Sequence, residues 1–151
     1  GKLSGLSDDM ASALADRYRL PRPRVALGPA LRGSATAMTD ISDGLIADLG
    51  HICETSGVGA RIGAASVPLS PAAAAAVAHD ANALQIALTG GDDYELAFTA
   101  NPASKNAVDA AARAAGVPVV AVGRITNGTG VELLDENDEV IDLKTVGYTH
   151  F

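Results

Sequence analysis

Residues 34–56 read SATAMTDISDGLIADLGHICETS, and this stretch decides the fold class. Residues 34–40 are small and apolar and end in a carboxylate, a composition that predicts a strand. From residue 42 the pattern changes. Leu45, Leu49 and Ile52 recur at i, i+4 and i+7, and Ile46 and Cys53 widen the same face, which predicts a helix over 42–56. Ser42 is a candidate N-cap and Gly57 a candidate stop. A strand that hands over to a helix through Asp40-Ile41-Ser42-Asp43-Gly44 places two carboxylates and free helix N–H groups at one corner. Such a corner suits a hard cation or a phosphate. Taken alone, the pentapeptide reads more often as an ordinary acidic helix start.

Working outward, residues 7–18 predict a short helix with an acidic first turn, and proline-rich residues 20–29 an extended linker. Residues 58–67 alternate loosely, as a strand would. The alanine run at 71–79 carries Pro71 where a helix tolerates it. Residues 83–88 predict another helix, 94–99 a strand, 102–115 a helix ended by Gly116, and 117–125 a β-branched strand. Residues 131–134 and 139–143 flank the polar turn Asp135-Glu136-Asn137-Asp138 and predict a hairpin. The order is that of an α/β (α+β) domain with a mixed β-sheet covered by helices. We divide it into an amino-terminal helix and linker, 1–33, and the domain proper, 34–151.

A second acidic motif is Thr89-Gly90-Gly91-Asp92-Asp93-Tyr94-Glu95. Paired glycines allow tight backbone approach, and three acids follow in four positions. The plain alternative is an acidic turn before a strand. His51, His79 and His150 show no metal-ligand spacing, and Cys53 has no nucleophile context.

Composition narrows the function. The 151 residues are 48% hydrophobic but only 3% aromatic, so the core must be aliphatic. The net charge of −7 argues against nucleic acid and anionic membranes as partners. A single cysteine suits the cytoplasm. No apolar run approaches a membrane span, and nothing near Gly1 resembles a secretory leader. The chain opens at Gly1 rather than Met, from which we expect a fragment of a longer protein.

Together the motifs resemble a known family. Residues 37–45 followed by 47–52 are similar to the start of the second domain of thiamine-monophosphate kinases, and residues 87–96 to that family's second signature. Residues 22–25, 122–125 and the ending 147–151 match in the right order. The family belongs with aminoimidazole ribonucleotide synthetase and selenophosphate synthetase. It implies two α/β halves with ATP between them, and transfer of the γ-phosphoryl group of ATP to thiamine monophosphate. By that resemblance Asp40 and Asp43 would hold Mg²⁺, Ser42 would contact ATP, Asp92 would face thiamine monophosphate, and Phe151 would pack on its aromatic part. The family carries Glu where this chain has Asp92, so the charge sits on a side chain one methylene shorter. The absent amino-terminal half would supply further metal-binding aspartates, much of the nucleotide pocket and the main interface of a full-length homodimer. The resemblance therefore implies that this chain alone is inactive. Another synthetase of the superfamily and a non-catalytic binding module are the alternative readings.

Overall fold

The computed structural model describes residues 6–91 and 93–141. Asp92, Phe151 and the rest of 142–151 therefore lie outside the described residues, as does the end of the expected 139–143 strand. Helix α1 spans Asp8–Arg19. The Ser7 side chain accepts from the Met10 N–H at 3.3 Å, acids fill the first turn and arginines the last, as the helix dipole favours. None of its residues is buried, so it lies on the surface as an arm.

The expected extended linker is in part helical. Residues Leu27–Ala30 form a single turn, α2. Leu27 and Leu31 are buried beside Val108 and Ala111 of α6 (Lys105–Ala115). Burial of these two leucines overrides the extended bias of the prolines around them.

Strand β1, Ala35–Asp40, pairs antiparallel with β3, Leu96–Ala100, with Asp40 opposite Leu96 and a slip in register between Ala35 and Ala37. A second, three-stranded sheet has the order β4-β2-β5. Its central strand β2 (Gly59–Gly63) runs antiparallel to β4 (Gly123–Thr126) and parallel to β5 (Gly130–Leu134). The expected mixed character is thus found in this sheet, while β1 and β3 form a separate pair. Of the expected strand 117–125, only its last residues join a ladder. Pro118 has no N–H to give to one, and Val122 contributes a single bond, its carbonyl accepting from the Gly63 N–H at 3.0 Å. The expected hairpin closes through the bridge between Leu134 and Val140.

Helix α3 spans Leu45–Ser56 and ends at Gly57 in the left-handed conformation, φ 65°. Leu49 and Cys53 are buried against Ala60 and Ile62 of β2, Leu133 of β5 and Leu88, with Leu45, Ile46 and Ile52 packed on this cluster. Helix α4, Pro71–His79, is capped by Ser70, and α5, Ala81–Thr89, by Asp80. Among the described residues no helix is long and apolar enough to cross a membrane.

Candidate functional site

The two acidic motifs lie against one another, backbone to backbone. Ile41 is buried, and both of its main-chain groups are taken by the second motif. Its N–H donates to the Glu95 carbonyl at 2.9 Å, and its carbonyl accepts from the Tyr94 N–H at 3.0 Å. These bonds continue the β1–β3 pairing past Asp40, which ends its strand exposed. Gly44, at φ 116°, sits so close to Thr89 that a Cβ there would lie 2.8 Å from the Thr89 carbonyl carbon. Gly91 sits in the same way on the Ser42 carbonyl oxygen. Gly44 and Gly91 are therefore needed for contact between the two loops.

Helix α3 begins later than the sequence suggests. Its cap position is Gly44, not Ser42, and no side chain caps it. The loop amides find their acceptor from the other direction. Asp48, in the first turn of α3 and 4% exposed, accepts from the Ser42 N–H at 2.8 Å and the Asp43 N–H at 3.0 Å, both on Oδ2. A carboxylate here satisfies two loop donors and opposes the positive end of the helix dipole. Ser42 and Asp43 are consequently exposed on a loop of fixed shape.

Among the described residues, Asp43, Asp48 and His51 bring potential metal-ligand atoms within 4.8 Å of one another. Asp40 is not a member of that group, and His51, which sequence spacing gives no reason to include, is. The donor chemistry of the corner nevertheless fits a hard cation. Magnesium is held by one or two carboxylates together with water and substrate phosphates, and Asp40 and Asp43 offer such oxygens from an exposed surface. Asp48 already has Oδ2 engaged, and an imidazole is the softer ligand. Asp92 and Phe151 lie outside the described residues.

Glu95 behaves differently from the acids of the first motif. Its Oε1 accepts from Arg17 Nη2 at 2.5 Å and Arg24 Nη2 at 2.6 Å, and its Oε2 from Arg24 Nε at 2.7 Å. The hydrogen bond to Glu95 drives the Arg24 guanidinium pKa further upward. Tyr94, just before it, adopts φ 53°. That left-handed conformation costs an L-residue about 1–2 kcal/mol and persists only where the surroundings hold it. Arg24, Tyr94 and Asp40 share the wall of an open concavity of about 330 Å³ with Pro23, Val25 and Leu96. Elsewhere, burial pushes the Cys53 thiol pKa up, which disfavours the thiolate and agrees with a packing role.

Two participants escape a reading of the sequence. Asp48 has a signal: with Leu45, Leu49, Ile52 and Cys53 it falls at i, i+3, i+4, i+7 and i+8, an acid placed on a buried stripe. The Arg17–Glu95–Arg24 group has none, because its members are far apart in sequence.

Residues 1–136 match the family described as AIR synthase related protein, C-terminal domain. The chain belongs to that family. Within it, this C-terminal domain is 41% identical over 141 residues to the thiamine-monophosphate kinase of Escherichia coli K12, covering 93% of this chain and 43% of that protein. The crystal structure of thiamine-monophosphate kinase from Stenotrophomonas maltophilia superimposes on the AIR synthase related domain with a TM-score of 0.79 at 39% identity, covering 91% of this chain and 42% of that one. A structure described as AaThiL complexed with AMPPCP and TMP matches with a TM-score of 0.76 at 28% identity, over 97% of this chain and 43% of that one. The chain thus spans less than half the length of the relatives it matches.

Proposed function

We propose that this chain is the carboxy-terminal half of a thiamine-monophosphate kinase. The observation that carries the proposal is the interlock of the two acidic motifs at Ile41, in a chain 41% identical to such a kinase. In the reaction, a phosphate oxygen of thiamine monophosphate attacks the γ-phosphorus of ATP. The bond from that phosphorus to the β–γ bridging oxygen breaks, and ADP leaves with the electron pair. Little covalent chemistry falls to the protein, so positioning and charge neutralisation do most of the work.

Asp40 and Asp43 are the residues that would hold Mg²⁺, which supplies neutralisation of the charge gathering on the phosphates. Asp48 keeps the Ser42 and Asp43 amides in place, and so sets the angle at which Asp43 leaves the loop. Ser42, exposed beside it, is the ATP contact. Asp92 faces thiamine monophosphate, and Phe151 packs on its aromatic part. Residues 1–33 are the amino-terminal helix and linker leading into the domain proper, 34–151, on whose core Leu27 and Leu31 already pack. The amino-terminal half brings the remaining metal ligands, the rest of the nucleotide pocket and the contact of a homodimer, and the enzyme works in the cytoplasm.

The test is an assay of the full-length protein beside this chain, with ATP, Mg²⁺ and thiamine monophosphate. The expected result is thiamine diphosphate and ADP in equal amounts from the full-length protein and none from the isolated chain. Turnover with a different acceptor, or by the 151 residues alone, overturns the reading.

A further inference from the structure

Glu95 belongs to the acidic motif by sequence, yet both of its carboxylate oxygens are taken up by arginines from the amino-terminal arm. Arg17 lies on α1, and Arg24 between α1 and α2. The main chain of Glu95 meanwhile accepts from Ile41, the residue between Asp40 and Ser42. One residue therefore joins the arm, the second motif and the first. An isolated surface ion pair would mean little. Here one arginine uses a fork of two donors, and a second arginine shares an oxygen, with all three side chains partly buried. Charge-assisted, two-point pairing of this kind is directional as well as strong. It acts beside Tyr94, whose left-handed φ needs external support.

We propose that Glu95 is a positioning residue: clasped by Arg17 and Arg24, it holds Tyr94 and its own main chain on Ile41 and so aligns the second motif with the substrate. The inference rests on the phosphotransfer reading above and adds to it the residue that aligns the second motif. It also gives the arm a task, since α1 contributes no buried side chain and yet supplies one half of the clasp.

The experiment uses the full-length protein with Glu95→Gln, Arg24→Met and the double variant. Two readouts are combined: hydrogen exchange in peptides spanning Ile41 and Tyr94, and steady-state kinetics with each substrate varied. Glu95→Gln keeps the size of the side chain and removes its charge. We expect exchange to rise in those two peptides alone, and KM for thiamine monophosphate to rise roughly tenfold, the scale on which lost orienting partners are felt. The values of kcat and KM for ATP should change little. Arg24→Met should act in the same direction, and the double variant should be no worse than Glu95→Gln, because both remove one interaction. Unchanged exchange at Ile41 and Tyr94, exchange that rises throughout the protein, or local loosening with an unchanged KM each overturns the positioning role. A wild-type protein inactive on thiamine monophosphate overturns the phosphotransfer reading instead, and this is seen before any variant is made.

Discussion

Gly91 rests directly on the carbonyl oxygen of Ser42, so closely that any Cβ at position 91 would overlap it. The neighbour is backbone, which cannot swing aside as a side chain would. Gly91→Ala should therefore drive the two acidic loops apart, at about 1–3 kcal/mol, the usual scale of overpacking. Gly50 is the control. It lies inside α3, and a methyl group at that position would meet nothing within 4 Å, so Gly50→Ala should stabilise the helix by about 0.8–1 kcal/mol. Urea denaturation of both variants checks the opposite signs.

Removing the Asp48 carboxylate exposes the purpose of its burial. Asp48→Ala leaves the Ser42 and Asp43 N–H groups without their acceptor, a loss of about 1–3 kcal/mol. In the full-length protein it should also raise the Mg²⁺ concentration for half-maximal activity by about 10-fold or more. Asp48→Asn keeps an acceptor oxygen and should be the milder of the two. A denaturation curve and a magnesium titration of each variant decide it, and equal damage from both would shift the role from the bonds to the charge.

Asp40 and Asp92 should separate in a magnesium titration of the full-length protein. Asp40→Asn removes charge near the transferred phosphoryl group and should cost about 3–4 kcal/mol of transition-state stabilisation, with folding little affected. Asp92→Asn should instead raise KM for thiamine monophosphate. Added Mg²⁺ should partly restore the first variant and leave the second unchanged. Equal restoration of both would overturn the division of roles.

Asp135 makes a prediction about pH. Backbone N–H groups of Glu139, at 2.9 Å, and Asn137, at 2.8 Å, donate to its carboxylate and hold its pKa below the ordinary value. A depressed carboxylate stabilises the fold fully above its unfolded pKa, about 3.9. That contribution is lost as the pH falls through the folded value. Asp135→Ala should therefore lose less stability than the parent on acidification below about pH 4. Thermal midpoints across an acid series test this, and parallel curves for the two proteins would contradict it.

Helices that rest on a periodic apolar face are legible in the sequence. The i, i+4, i+7 set of Leu45, Leu49 and Ile52 gives the inward face of α3, and Pro71 with its alanine run gives α4 with its boundaries. Strand ends are legible only where a partner happens to coincide with the β-branched run, because a ladder is decided by the neighbouring strand. Thus 117–125 looks like a strand throughout and joins one only from Gly123. The helix turn Leu27–Ala30 is hidden by its prolines, since what fixes it is a groove beside α6 formed by residues some eighty positions later. At the site, the acids of the two motifs can be named from local spacing. Apart from the local bonds to Asp48, the hydrogen bonds that give those acids their setting run between distant segments, and Ile41 shows nothing in sequence of its two hydrogen bonds, one to Tyr94 and one to Glu95.

The pairing of β1 with β3 has a consequence for the growing chain. Ala35 lies opposite Ala100, and Gly59 opposite both Thr126 and Gly130. At translation rates of about 5–20 residues per second, β1 waits several seconds on the ribosome before its only described partner is made. Strand β2 waits longer still, for two partners that arrive almost together. Helices α3 to α5 can form locally during that interval, but their apolar faces have no finished sheet to cover them. Topology of this kind folds slowly and leaves strand edges open to other chains meanwhile. A nascent chain halted after Ala115 would hold β1 and β3 but neither β4 nor β5, and its β2 would be an aggregation-prone edge on both sides.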